Sequence, residues 1–208
     1  MNVIIADDHT IVRHGLRQLL DRHADIRVVG EAGSGNEVFE LLRGSTVDVI
    51  VLDISMPGRN GLDTLKDLRK QYPGIPVIML SMHPGDQYAV RVLKAGAVAY
   101  LTKESAPDEL AIAIRKAYKG EKYITSEVGT LLANFVGSKF SDEPHRSLSD
   151  REFEIFCLIG AGNGLTQIAE RLNLSVKTIS TYRSRIIEKT HLSNNAEITR
   201  YAIEHSLV

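Results

Sequence analysis

Val49-Ile50-Val51-Leu52-Asp53 decides the architecture of the first half of this chain. Four apolar residues, three of them β-branched, end abruptly at an aspartate. A run so short and uniformly apolar reads as a strand buried on both faces, as in a parallel sheet covered by helices. The pattern recurs outward from it: Val3-Ile4-Ile5-Ala6 and Ile26–Val29 before, Val77-Ile78-Met79-Leu80 and Val98–Leu101 after. Between these runs apolar residues return at helical spacing. They do so at Val12, Leu16, Leu19 and Leu20, at Val38, Leu41 and Leu42, and at Leu62, Leu65 and Leu68. Ala89, Val92 and Leu93, then Leu110, Ile114 and Ala117, complete the series. Five strands alternating with five helices predict an α/β fold, a doubly wound parallel sheet over residues 1–120.

Such sheets bind ligands beyond the carboxyl ends of their strands. Asp7 and Asp8 follow the first predicted strand directly, and Asp53 ends the third. In the flavodoxin-like order 2-1-3-4-5, strands one and three are neighbours, which brings three carboxylates to one edge. Like charges that close are unfavourable unless neutralised. A hard divalent cation such as Mg2+, taking a few carboxylates plus water or phosphate oxygens, neutralises them. Ser81 follows the fourth run and Lys103 the fifth, where an ammonium can pair with a transferred phosphoryl group. Two metal carboxylates, a nucleophilic carboxylate, a hydroxyl and an ammonium are the parts of aspartyl phosphate chemistry. Any one of these aspartates could simply cap the next helix. The joint pattern at four strand ends carries the reading.

From about Gly120 the alternation stops. Glu127 to Val136 could form one more short helix, and the polar, aperiodic stretch from Gly137 to Ser147 reads as a linker, so residues 121–147 connect the two halves. Residues 148–208 show helical patterns alone. Ser149 with Glu152 makes a capping box for a helix carrying Phe153, Phe156, Cys157 and Ile159, all expected in the core. Gly160 to Gly164 must break it. Thr166 can cap a short helix through Leu172, Ser175 a third from Val176 to His191, and a fourth runs from Asn195 to His205. The two helices joined by Leu172-Asn173-Leu174-Ser175 have helix-turn-helix dimensions. On the second of them Ile179, Tyr182 and Ile186 should face inward. Lys177, Ser180, Thr181 and Ser184 fall opposite, where small hydroxyl residues permit close approach to base edges. Lys177, Arg183, Arg185 and Lys189 can reach phosphates. The bare pattern also fits a four-helix bundle whose charged face is only wet.

Composition narrows the classes. The 208 residues hold 25 Lys+Arg against 26 Asp+Glu, a net charge of -1, which excludes a wholesale basic coat for nucleic acid. The local excess from Lys177 to Lys189, four basic residues against Glu188, is the exception. One cysteine excludes an internal disulfide. No run approaches the ~18 apolar residues of a membrane span, and the N-terminus has no basic leader, so a cytoplasmic protein without membrane partners is expected. No metal cluster is evident among the scattered histidines, and His9 is expected to face solvent. Gly33 and Gly35 lie in no phosphate-loop pattern.

Asp7-Asp8, Asp53-Ile54-Ser55-Met56-Pro57 with Gly61, Ser81, Gly96-Ala97 and Tyr100-Leu101-Thr102-Lys103 resemble, in order and spacing, the receiver domain of two-component response regulators. The resemblance implies that Asp53 is the phosphoacceptor. It also implies that Asp7, Asp8, Asp53 and the Ser55 backbone carbonyl hold Mg2+, that Ser81 and Tyr100 are the switch pair, and that Lys103 contacts the phosphoryl group. Ser55 and His83 occupy the positions that tune dephosphorylation. Leu148-Ser149-Asp150-Arg151-Glu152, Gly162, Ile168-Ala169-Glu170-Arg171-Leu172, Leu174-Ser175-Val176-Lys177-Thr178-Ile179, and Ile186 with Lys189 resemble the LuxR-type helix-turn-helix.

The whole chain therefore looks like a NarL/FixJ-type regulator. That implies a sensor histidine kinase, double-stranded promoter DNA, a homodimer formed on activation and contact with RNA polymerase as partners. It implies DNA contacts by Lys177, Thr178, Ser180, Thr181, Arg183, Ser184, Arg185 and Lys189. Tyr182 stands where many members carry His. No Arg or Asn joins Ser180, Thr181 and Ser184 for bidentate base contacts, so sequence preference would lean on DNA shape or on Lys177. Three alternatives remain: a metal-dependent phosphohydrolase, which would want a second aspartate where Ser55 stands, a DNA-binding protein with a vestigial receiver, and a regulator whose helix-turn-helix binds protein. The expectation is a regulator and not an enzyme.

Overall fold

The computed structural model describes residues 1–56, 60–82, 86–137, 143–205 and 207–208. Within it β1 (Asn2–Ala6), β2 (Arg27–Ala32), β3 (Val49–Asp53), β4 (Val77–Ser81) and β5 (Ala99–Thr102) alternate with α1 (Thr10–Leu20), α2 (Gly35–Gly44), α3 (Gly61–Gln71), α4 (Asp86–Lys94) and α5 (Ala106–Tyr118). The strands pair in parallel, in the order β2-β1-β3-β4-β5. Alternate side chains leave each strand on opposite faces. Val3, Ile5, Val49, Val51, Ile78 and Leu80 pack with Leu16 and Leu20 of α1 and Leu110 and Ile114 of α5. Ile4, Ile50, Leu52 and Met79 are buried on the other face, where α2 and α3 pack. The register brings the strand ends level: Ala6 lies opposite Leu52, Asp53 opposite Leu80, and Ser81 opposite Thr102.

β2 outlasts its apolar run. Gly30 and Glu31 continue the ladder opposite Ile4 and Ile5, and Ala32 lies opposite Ala6. The Glu31 carboxylate is compensated by Arg13, at 3.3 Å, and Arg17, at 2.6 Å, both on α1. A polar residue in the ladder thus has its partners on the neighbouring helix, which a hydropathy pattern does not register. After α5, Tyr123 donates its backbone N–H to the Val98 carbonyl at 2.9 Å and forms a bridge with Ala99. α6 (Ser126–Gly137) follows.

The chain divides into two compact units, the first reaching Thr130 and the second running from Leu131 to Val208. The second holds a 3-10 turn (Pro144–Ser147), α7 (Asp150–Gly160), α8 (Leu165–Arg171), α9 (Val176–Thr190) and α10 (Asn195–Glu204). The capping box forms as read: Ser149 Oγ accepts from the Glu152 N–H, and Glu152 Oε2 accepts from the Ser149 N–H at 2.7 Å. α7 is buried from Glu152 to Gly160, Phe153, Phe156 and Cys157 included, and packs against α9 and α10. Gly162, at φ +84°, takes the left-handed conformation that reverses the chain. The cap of α8 differs from expectation. Gly164 is extended, its carbonyl accepts from Ile168 N–H at 3.0 Å, and Gln167 Oε1 accepts from its N–H at 2.9 Å. The first turn therefore closes on Gly164, two residues before Thr166. Ser175 caps α9, accepting from Thr178 N–H at 3.0 Å.

Candidate functional sites: an acidic pocket and a recognition helix

The ladder delivers Asp7, Asp53, Ser81 and Lys103 to one edge. Asp7, directly after β1, is held by its backbone: its N–H donates to the Ala32 carbonyl at 3.0 Å, and its carbonyl accepts from Arg13 at 2.6 Å. Asp53 ends β3, with the next N–H, that of Ile54, donating to Leu80 at 3.0 Å. Lys103 N–H donates to the Ser81 carbonyl at 2.8 Å, which fixes the residue after β5 against the end of β4. From that anchor Lys103 Nζ lies 2.7 Å from Asp7 Oδ2 and 2.9 Å from Asp53 Oδ2. The side chains of Asp7 and Asp53 are almost wholly buried, and that of Lys103 nearly so.

The electrostatics follow from burial. Loss of solvent pushes the Asp53 carboxyl above its ordinary pKa; the Lys103 ammonium opposes this and the Asp7 carboxylate adds to it. Burial would lower the Lys103 pKa, but its bonds to Asp53 and Asp7 outweigh that and hold the ammonium above its ordinary value. One cation thus faces two buried carboxylates, with Asp8 beside them. Asp53 Oδ1 is buried without a hydrogen-bond partner among the described residues. Asp7, Asp8, His9 and Asp53 each place a ligand atom within 4.8 Å of the others. An orphaned carboxylate oxygen in an oxygen-rich cluster is what a hard divalent cation would satisfy. The donor set fits one.

The remaining predicted site residues are placed as follows. Ser81 is buried at the end of β4, and the Tyr100 ring is buried on β5, opposite Met79. Ser55 is partly exposed two residues beyond Asp53. His83 lies outside the described residues. The sequence reading left His9 to solvent and gave Arg13 no role. His9 remains partly exposed, but its Nδ1 lies 2.7 Å from Asp8 Oδ1, and its backbone N–H donates to Asp7 Oδ1 at 2.8 Å. Adjacency to Asp8 was the available signal for His9. For Arg13 it was a position one helical turn beyond His9.

On α9, Ile179 and Ile186 are buried. Tyr182 is half-buried rather than core, with the Arg185 guanidinium 6.0 Å from its ring centroid. Lys177, Ser180, Thr181, Ser184 and Arg185 are exposed. The Thr181 and Ser184 hydroxyls donate back to the Lys177 and Ser180 carbonyls, at 3.0 and 3.1 Å, leaving their oxygens outward as acceptors. Three of the expected contacts have partners inside the unit. Thr178 joins the Ser175 cap at 2.8 Å, Arg183 donates to Asn195 Oδ1 at 2.6 Å, and Lys189 donates to Glu152 Oε2 at 2.6 Å. Burial would raise the Glu152 pKa, but Lys189 and the Ser149 backbone hold it below the ordinary carboxylate range. The exposed residues of the face, Lys177, Ser180, Thr181, Ser184 and Arg185, are thus interleaved with the engaged ones along the helix.

Comparison with known proteins bears on both units. Residues 3–115 match the response regulator receiver domain, and residues 146–202 match the bacterial regulatory proteins of the luxR family. The chain is 38% identical over 208 residues to Response regulator UvrY of Escherichia coli (strain K12), covering 100% of this chain and 95% of that protein. It is 35% identical over 215 residues to Oxygen regulatory protein NreC of Staphylococcus carnosus (strain TM300), covering 100% and 99%. Among solved structures it is similar to RcsB from Salmonella enterica serovar Typhimurium bound to promoter P1flhDC in the presence of phosphomimetic BeF3-. There the TM-score is 0.69 at 31% identity over 97% of each chain. It is also similar to an RcsB–DNA complex, with a TM-score of 0.61 at 31% identity over 99% and 98% of the two chains.

Proposed function

The chain belongs to the response regulators that join a receiver domain to a luxR-family DNA-binding domain, and from that membership we propose that Asp53 is the switch through which a sensor histidine kinase controls its binding to promoter DNA. The observation that carries the proposal is Asp53 itself: buried, bonded through one oxygen to Lys103, and presenting the other without a hydrogen-bond partner among the described residues. Attack by an Asp53 oxygen on phosphorus forms an acyl phosphate as the bond from phosphorus to the donor nitrogen or oxygen breaks. No proton need move at Asp53. Asp7, Asp8, Asp53 and the Ser55 carbonyl would hold Mg2+, which when bound supplies charge neutralisation for incoming phosphoryl oxygens. Lys103 re-aims its ammonium from the carboxylates to the phosphoryl group. Ser81 then bonds the new oxygens and Tyr100 repacks behind it, a local charge change biasing a two-state element. Ser55 and His83 set how long the acyl phosphate lasts. One phosphoryl group is accepted per chain, so the site is a stoichiometric switch and not an enzyme active site.

The readout is DNA. The exposed face of α9 offers Ser180, Thr181 and Ser184 to base edges, while Lys177 and Arg185 reach phosphates. Thr178, Arg183 and Lys189 position the helix from within the unit. A homodimer presents two such helices to successive major-groove turns, where RNA polymerase is met in turn. Among the described residues no helix is long and apolar enough to cross a membrane, which accords with work on DNA in the cytoplasm.

Incubation with Mg2+ and acetyl phosphate tests the receiver. One added phosphoryl group by intact mass is expected, absent from Asp53→Ala, with a gain of dimer by light scattering. No addition, under conditions that label a control receiver, would leave a vestigial receiver. Steady release of phosphate from simple phosphomonoesters would instead indicate a hydrolase. For the second unit, Lys177→Ala should weaken duplex binding about equally across sequences. It should also lower the slope of log affinity against log salt by about one. Titrations at several salt concentrations measure this, and an unchanged slope would place Lys177 away from phosphate.

A further inference from the structure

Resting on the reading of the acidic pocket as a cation site, we propose that Arg13 is a positioning residue of that site, a side chain of α1 that fixes the peptide between Asp7 and Asp8 and through it the direction of both carboxylates. Asp7 is where the chain leaves the sheet. Its N–H donates to the Ala32 carbonyl at 3.0 Å, just past the last pair of the β1–β2 ladder. Its own carbonyl accepts from Arg13 Nη1 at 2.6 Å. That carbonyl belongs to the peptide unit joining Asp7 to Asp8. The unit is planar, so a bond that holds its oxygen holds the plane. The Cα atoms of the two aspartates stand at its ends, and the carboxylates depart from there. One residue further on, the His9 N–H donates to Asp7 Oδ1 at 2.8 Å, so the turn into α1 keeps the Asp7 side chain in the direction the plane gives it.

Arg13 is itself held. Its Nε lies 3.3 Å from Glu31 Oε2, and the other oxygen of that carboxylate lies 2.6 Å from Arg17 Nη1. Glu31 stands on β2 opposite Ile5, so the guanidinium is anchored to the sheet. A guanidinium is a rigid planar fork that can give one edge to a carboxylate and another to a carbonyl, whereas an ammonium is a point donor. Among the described residues no hydrogen bond or ion pair joins Arg13 to Asp53 or Lys103, so it acts through Asp7 and Asp8 and not on the reacting atoms. Sign separates positioning from charge. A cation beside a cation site repels the incoming ion, so mere removal of the Arg13 charge would tighten Mg2+ binding. Loss of a group that orients metal-binding carboxylates weakens it.

Isothermal titration of the full chain with Mg2+ tests this, beside single-turnover labelling by acetyl phosphate and urea unfolding without Mg2+. Arg13→Gln should lose about tenfold in Mg2+ affinity, the lower end of what such orienting groups contribute. Its labelling should slow at low Mg2+ and recover most of its rate at saturating Mg2+. Glu31→Gln should move both in the same direction by less. Arg13→Lys, which keeps the charge and the stem, should still bind Mg2+ more weakly than the unsubstituted chain. Arg17→Gln removes a like charge from the same helix and the same carboxylate but leaves the bond to the Asp7 carbonyl in place. Its Mg2+ affinity should be undiminished. Equal or tighter Mg2+ binding in Arg13→Gln, whatever its stability, would overturn the positioning role and leave the pocket a cation site. Should Arg13→Gln not fold, Arg13→Lys decides by the same criterion. Failure of the unsubstituted chain to bind Mg2+ would overturn the cation site itself.

Discussion

Lys103→Met is expected to destabilise the first unit by about 3–5 kcal/mol at neutral pH in metal-free buffer, because it leaves two buried carboxylates without their cation. The unsubstituted pocket holds Lys103 Nζ at 2.7 Å from Asp7 and 2.9 Å from Asp53, and both carboxylates are almost fully buried. Methionine keeps much of the volume and removes the charge, so the effect is electrostatic and not a cavity. The pH dependence has a definite sign. Burial already lifts the Asp53 pKa, and losing the ammonium lifts it further. A carboxyl whose folded pKa lies above its unfolded value binds more protons folded than unfolded, so stability is lost as pH rises through that interval. The variant should therefore approach the unsubstituted chain near the ordinary carboxylate range and fall below it as pH rises. Mg2+ should raise the unfolding midpoint of the variant more than that of the unsubstituted protein, since it supplies the missing positive charge. Urea unfolding followed by circular dichroism at pH 5 and pH 7, with and without Mg2+, measures all three effects. Equal stability at pH 7 would show that the three groups are not coupled as their distances indicate.

How much of this pocket was readable before any coordinates follows from the same residues. Asp7, Asp53, Ser81 and Lys103 each sit at or just beyond the end of an apolar run, so a pattern of period and burial placed them, and the parallel order then brought the ends level. Lys103 was legible as the partner of a phosphoryl group; its bridge to the Asp7 and Asp53 carboxylates, at 2.7 and 2.9 Å, was not. Arg13 was not, because its function is a bond to a backbone carbonyl, and the sequence gives no sign of where a carbonyl points. β2 was cut short for a related reason: Glu31 reads as a strand end until Arg13 and Arg17 are known to meet it. At Gly164 a backbone carbonyl and the Gln167 side chain made the cap, and the nearby threonine drew the eye instead. On α9 the burial of Ile179 and Ile186 followed the helical period, but the engagement of Arg183 and Lys189 depended on Asn195 and Glu152, distant in sequence and brought close by packing. Patterns of burial were legible; the partners of long polar side chains were not.

Gly61→Ala is expected to slow phosphorylation about 100-fold while leaving every reacting group in place. Gly61 opens α3 where it meets the end of β3. Its N–H donates to the Ile54 carbonyl at 2.8 Å. Asn60 beside it is buried and caps the helix by accepting from Asp63 N–H at 2.7 Å, and Thr64 Oγ1 donates to the Asn60 carbonyl at 2.9 Å. A Cβ at position 61 would overlap the Asp53 carbonyl oxygen and fall 2.8 Å from both the Asp53 carbonyl carbon and the Ile54 Cα. These are backbone atoms at the end of the strand that carries Asp53, so no rotamer change relieves the clash. Either α3 retreats, straining three hydrogen bonds, or the end of β3 shifts by about an ångström. A displacement of that size at a reacting group can reduce rate about 100-fold, and overpacking of a tight site typically costs about 1–3 kcal/mol. Gly44→Ala is the matched control, because a Cβ there meets nothing within 4 Å. Single-turnover labelling with acetyl phosphate at saturating Mg2+ separates the cases. A slow rate with a full final extent of labelling places the loss in the position of Asp53 and not in its chemistry. Labelling at the unsubstituted rate would mean that the end of β3 has slack, and that the pocket does not depend on the close approach of α3.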